Sequence, residues 1–163
     1  MEKWDRKIID QTGELLQKQK KTLAVAESVT SGNLQVAFSL AKNAMLFFQG
    51  GITTYNIGQK CRHLLVEPTH AIAFNCVSKK VSEQMATEVC NLFTADYGIG
   101  ITGYASPVPE QNIKQLFAFV AISKNNKIVL SKKINAPENE PAKTQIYFTR
   151  RAIDLLYKTL KKT

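Results

Sequence analysis

The chain has 163 residues, 44% of them hydrophobic and 21% charged, which suits one domain (1–163) with a sizeable core and excludes disordered or fibrous architectures. A formal net charge of +9 invites a nucleic-acid reading, but the lysines gather at 18–21 and 158–162, at the ends of predicted helices, and at 132–133 on a strand. They read as solvated faces, so no specific nucleic-acid partner is expected, only a modest attraction for anionic nucleotides.

In chain order, Trp4, Ile8, Ile9, Leu15 and Leu16 make a helical stripe over 2–20. Residues 23–26 are a short buried strand that stops at small polar residues, followed by a largely buried helix through Leu34, Ala37 and Phe38 to about residue 42. A second strand spans 47–55, and 57–65 form a short helix carrying Lys60 that ends where Pro68 excludes helix at Glu67. A loop is expected through Asn75. Ser78 opens another helix with Val81, Met85, Val89 and Leu92 on one face, and 97–102 form a third strand whose Gly98 and Gly100 permit close approach of a neighbour. After a proline-bounded loop at 105–112, strands 115–123 and 127–135 flank Lys124-Asn125-Asn126, a hairpin signal. Residues 135–141 read as a linker, and Ile146, Ile153, Leu156, Tyr157 and Leu160 as a closing amphipathic helix. About five strands and five helices in this order predict a three-layer α/β/α domain with a mixed, mainly parallel sheet.

No apolar run approaches bilayer-spanning length, and residues 1–5 lack a signal-peptide core, so a cytoplasmic location without a membrane partner is expected. Cys61, Cys76 and Cys90 are odd in number and lack ligand spacing, and His63 and His70 form no cluster with them. They read as reduced thiols, with no metal. No dinucleotide-binding glycine pattern is present, so no cofactor is implied either.

Three stretches carry chemistry. Leu-Ala-Val-Ala-Glu-Ser-Val-Thr-Ser-Gly at 23–32 is a strand, a tight turn and a helix start, which aims N–H groups and the Ser28 hydroxyl beyond the strand's carboxyl end. Taken alone, Ser28 or Thr30 could simply cap the helix. The second stretch, Gly50-Gly51-Ile52-Thr53-Thr54-Tyr55, runs into Lys60, and the third is Gly100-Ile101-Thr102-Gly103-Tyr104-Ala105-Ser106-Pro107. Serine with lysine is a hydrolytic pair.

Together these stretches resemble the CinA carboxy-terminal family, whose active members are nicotinamide-nucleotide amidohydrolases. The family pattern is A-E-S-C-T-G-G, then F-x-G-G-x-x-x-Y-S-N-x-x-K, then T-G-I-A-G-P-x-G-G. Glu27, Ser28, Thr30, Gly32, Phe48, Gly50, Gly51, Tyr55, Lys60, Thr102, Gly103, Ala105 and Pro107 fall on it in order. The resemblance implies Ser28 as nucleophile, Lys60 as its base if burial keeps it neutral, and Tyr55 as relay or positioner. It also implies a substrate-binding set: N–H groups of Val29 and Thr30 toward the oxyanion, Thr102 and Gly103 along the wall, Gly50 and Gly51, and Glu27, placed before a helix to hold backbone N–H groups. The implied partner is a small nucleotide substrate, with a homo-oligomer left open.

The departures cluster at the site. Val29 replaces a cysteine, Ser31 the first of two glycines, Asn56-Ile57 a Ser-Asn pair and Ser106 a glycine, while Val108-Pro109-Glu110 lacks a Gly-Gly. Gln115 stands where the family has the glycine of a V-G-T stretch, and an arginine expected early in the last helix has no clear counterpart near Gln145. Residues with a Cβ resist positive φ, so the loops are expected to be reshaped. Two readings follow: an amidohydrolase acting on nicotinamide mononucleotide, or a degenerate relative that binds a nucleotide or a partner without turnover.

Overall fold

The computed structural model describes residues 3–163. The first helix, α1 (Arg6–Lys18), begins after Asp5, whose side chain accepts the Ile8 N–H; the predicted start at Glu2 lies outside the described residues. Then come β1 (Leu23–Glu27), α2 (Asn33–Ser39), a single 3₁₀ turn (Ala44–Leu46), β2 (Phe48–Thr53), α3 (Ile57–Leu64), α4 (Pro68–Ala73), α5 (Lys79–Phe93) and β3 (Tyr97–Gly103). A second 3₁₀ turn (Pro109–Gln111) precedes the hairpin β4 (Leu116–Lys124) and β5 (Lys127–Ala136), and α6 (Pro141–Lys161) closes the chain.

The sheet order is β2-β1-β3-β4-β5. β1 pairs in parallel with both β2 and β3, and β4 is antiparallel to both β3 and β5, so only β4 runs against the other four. All five β1 residues are buried, as a central strand requires, and they alternate between two cores. Leu23 and Val25 join Leu16 of α1, Phe38 of α2 and Leu156 of α6 on one face, whereas Ala24 and Ala26 join Leu64 of α3, Ala71 of α4 and Met85 of α5 on the other. The result is three layers. Gly98 and Gly100 let α5 rest directly on β3, because a Cβ at either would collide with the backbone carbonyl of Ala86 or Ser82.

Two details differ from the sequence-based expectation. α3 already ends at Leu64, where Leu65 turns left-handed at φ 48°, and Pro68 instead starts α4 in the stretch expected to be loop: proline suits the first helical position, and the Glu67 carboxyl accepts the Thr69 and His70 N–H groups. Pro141 likewise starts α6 inside the expected linker, five residues before the apolar stripe begins. No helix among the described residues is long and apolar enough to cross a membrane.

The topology also locates a crevice. The β1-to-β2 crossover runs through α2 on one face and the β2-to-β3 crossover through α3, α4 and α5 on the other, so strand order reverses at β1. Ligands of open α/β sheets bind beyond the strand carboxyl ends at such a reversal. Ser28 is the first residue past that end.

Candidate active site

The register brings Glu27 of β1 level with Thr53 of β2 and Ile101 of β3. Beyond them the Ser28 N–H still donates to the Ile101 carbonyl at 3.1 Å, and the Thr54 N–H to the Glu27 carbonyl at 2.9 Å. Sheet bonding thus continues one residue into the turn and holds Ser28 rigidly between the two neighbouring strands. The chain then reverses through Ser31 at φ 50° and Gly32 at φ 92°, two successive left-handed residues. Ser31 adopts that conformation despite its Cβ, at a cost of about 1–2 kcal/mol, so this turn keeps a left-handed path without its first glycine.

The Glu27 side chain lies on the α2 side of the turn, fully buried. Its carboxyl accepts the Leu34 N–H at 2.8 Å, the Gln35 N–H at 3.1 Å, the Gln35 side-chain amide at 3.1 Å and the Thr30 hydroxyl at 2.7 Å. Neither Ser28 nor Thr30 caps α2; Glu27 takes that place by satisfying the N–H groups of its first turn. The Leu34 and Gln35 N–H groups at the amino end of α2 are therefore taken up by the chain's own acid.

On the opposite side, α3 delivers Lys60. Asn56 caps this helix through the Gln59 N–H, and the Lys60 side chain runs inward to 1% exposure. Its Nζ lies 2.9 Å from Ser28 Oγ, 2.8 Å from the Thr54 carbonyl and 3.2 Å from the Tyr55 carbonyl. Burial lowers its pKa to about 8, against smaller opposing effects from the thiols of Cys76 and Cys61. The three contacts match both protonation states. An ammonium donates to all three oxygens; the neutral amine keeps two hydrogens for the carbonyls and turns its lone pair to accept the Ser28 O–H.

Ser28 and Lys60 open into a cleft of about 650 Å³ that also takes in Val29, Thr102, Gly103 and Tyr104 from the strand ends, Ile72, Cys76 and Val77 from the α4–α5 junction, and Pro141 and Gln145 from α6. Val29 is buried and lines the cleft, and the N–H groups of Val29 and Thr30 donate to no group among the described residues. Thr102 is buried in the wall, its hydroxyl donating to the Cys76 carbonyl at 2.7 Å, so it ties the α4–α5 junction to β3. Gly103 is needed where the chain passes β4, since a Cβ would collide with the Phe117 carbonyl and Ala118.

Four residues of the expected binding set stand away from the cleft lining. Glu27 and Thr30 bond each other under α2, and Gly50 and Gly51 sit within β2. A Cβ at Gly51 would collide with Val25 and Gln35, and Gly50 takes φ 128° beside Phe93, so packing explains both glycines. Tyr55 lines the cleft mouth, but the residue is 76% exposed, and it reaches Lys60 through its backbone carbonyl. Tyr104, Cys76, Asn75 and Gln145 were not expected at the cleft. Asn75 and Cys76 occupy successive left-handed positions at φ 49° and 59°, for which the asparagine, ahead of the Ser78 cap, was the available signal. No group of three or more His, Cys, Asp or Glu side chains among the described residues could hold a metal ion.

Comparison with known proteins agrees with this architecture. The CinA C-terminal domain family model matches residues 5–160. A CinA-like protein from Picosynechococcus sp. (strain ATCC 27264 / PCC 7002 / PR-6) is 36% identical over 104 residues, 64% of this chain and 25% of that protein. A relative from Streptococcus agalactiae serotype III (strain NEM316), whose name refers to competence-damage induction, is 32% identical over 149 residues, 91% of this chain and 35% of its own length. The chain spans only about a third or less of these curated relatives. Among solved structures, a CinA superfamily protein from Klebsiella pneumoniae 700603 superposes with a TM-score of 0.90 at 23% identity, covering 97% of this chain and 98% of that one. The chain belongs to the CinA C-terminal domain family.

Proposed function

We propose that this domain is a Ser/Lys amidohydrolase that releases ammonia from the carboxamide of a nicotinamide nucleotide or a close analogue. The single observation that carries the reading is the 2.9 Å contact between Ser28 Oγ and a buried Lys60 whose pKa is lowered to about 8. An amine in that range is a competent base near neutral pH, whereas an ordinary lysine is protonated there.

In the reaction, neutral Lys60 takes the Ser28 proton as Oγ attacks the carboxamide carbon, and the negative charge passes to the carbonyl oxygen. The N–H of Val29, which lines the cleft and donates to no group among the described residues, is the unused donor on the turn for that oxyanion. As the C–N bond breaks, the Lys60 ammonium gives its proton to the departing nitrogen and ammonia leaves. Water then attacks the Ser28 ester with Lys60 again as base, the acid product departs and Oγ regains its proton. Each half-reaction returns Lys60 to the neutral form. No cofactor takes part.

The test is Ser28-dependent ammonia release by the purified domain from a panel of nicotinamide mononucleotide, nicotinamide riboside and nicotinamide. Release from at least one of them, falling by about 10³-fold or more in Ser28→Ala, supports the reading. If the panel yields no ammonia that depends on Ser28, the domain is a binding relative without turnover. The pH profile of kcat/KM should rise with an inflection at about 8, because the active form is neutral Lys60.

A further inference from the structure

The charge of the cleft bears on what it accepts. Among the described residues that line it, Lys60 is the only lysine or arginine, and it is engaged with Ser28 and the carbonyls of Thr54 and Tyr55. Lysine and arginine make up 22 of the 163 residues, yet the remaining lining is apolar or neutral polar. The amino end of α6 brings Pro141 and Gln145 to the rim, and no lysine or arginine of this helix lines the cleft. Pro141 has no N–H, and Glu140 at the cap position puts a carboxylate there, paired with Lys143 at 3.6 Å. Gln145 is half-buried and uncharged, one turn into the helix.

A phosphate dianion entering such a cleft would lose hydration without gaining a free cation, and its field would raise the pKa of Lys60 and disfavour the neutral base. A ring carboxamide or its riboside meets no such penalty. Asn56 has a side-chain NH₂ not used in capping α3, and Tyr55 and Tyr104 set two aromatic rings along the cleft.

We propose that the cleft selects a carboxamide without a phosphate, a pyridine carboxamide or its riboside, and that Gln145 is a specificity-determining residue for that choice. This rests on the Ser28 and Lys60 reading above. The test measures both binding and turnover for the same three ligands, with inorganic phosphate as an added binding probe. Calorimetric Kd values for the wild-type domain should favour nicotinamide riboside or nicotinamide over the mononucleotide by about tenfold or more, with kcat/KM in the same order and no measurable phosphate binding. Gln145→Arg, which adds a bidentate phosphate partner, should shift that ratio toward the mononucleotide by about tenfold while the thermal midpoint holds. Equal or tighter binding of the mononucleotide by the wild-type domain overturns the proposal even if turnover depends on Ser28. Binding of none of the three overturns it as well. Preferential binding of the unphosphorylated ligands without ammonia release upholds the selectivity and removes only the hydrolytic reading.

Discussion

At the carboxyl end of β1 the fold buries two ionisable side chains from distant points in the chain, Glu27 and Lys60, one on each face of the sheet. On the α2 face, Glu27 accepts four hydrogen bonds, and all four donors belong to the turn and helix that follow it. On the α3 face, Lys60 meets two carbonyls and one hydroxyl, and burial lowers its pKa to about 8. Burial alone does not separate a structural group from a reactive one. What separates them is whether the partners are all donors from the adjoining turn and helix, as around Glu27, or can serve the group both as ammonium and as amine, as around Lys60.

Removing each group should therefore fail in a different way. Lys60→Met should lower ammonia release by about 10²- to 10⁴-fold, the range for a positioned base, with little change in thermal midpoint. The stability side is nearly balanced: relief of a desolvated amine offsets two carbonyls that lose a donor. A collapse of the fold in that variant would show that Lys60 is structural like Glu27 and would erase the contrast.

Glu27→Ala should do the reverse. It strands the Leu34 and Gln35 N–H groups and the Thr30 hydroxyl, and should cost about 3 kcal/mol of stability in denaturant titration. Specific activity per folded molecule should fall far less than in Lys60→Met.

The contrast sharpens with pH. The folded pKa of Lys60, about 8, lies below its ordinary 10.5, so between these values the unfolded chain binds the extra proton and stability rises with pH. The Lys60 contribution is most favourable above 10.5 and is progressively lost as pH falls to about 8, at up to about 1.4 kcal/mol per pH unit. The difference between wild type and Lys60→Met, measured by denaturation across that window, should show this slope; a flat difference would mean that the buried amine is not held neutral. Smallest of all, Tyr55→Phe should change kcat/KM by about twofold or less, since the exposed phenol makes no contact with Lys60 and the carbonyl that does is retained.

Much of this was legible in the residues alone. The apolar run before Glu27, the alternation of helical and strand periods and the Lys-Asn-Asn hairpin specify the layers and the strand directions, because periodicity and turn chemistry are local properties. Ser28 and Lys60 are marked by the collinear match of their motifs to the CinA family pattern, not by spacing alone. Tertiary structure decided the rest. Glu27, Thr30, Gly50 and Gly51 share motifs with Ser28 and Lys60 yet face α2 or the sheet interior, since successive strand residues point to opposite sides and only the packed fold shows which side is the cleft. Asn75, Cys76, Tyr104 and Gln145 come to the site from separate segments and carry no joint spacing in the chain. The depressed pKa of Lys60 is likewise invisible in its neighbours Gln59 and Cys61: it arises when the fold turns the amine inward to Ser28 and the Thr54 and Tyr55 carbonyls and removes its water.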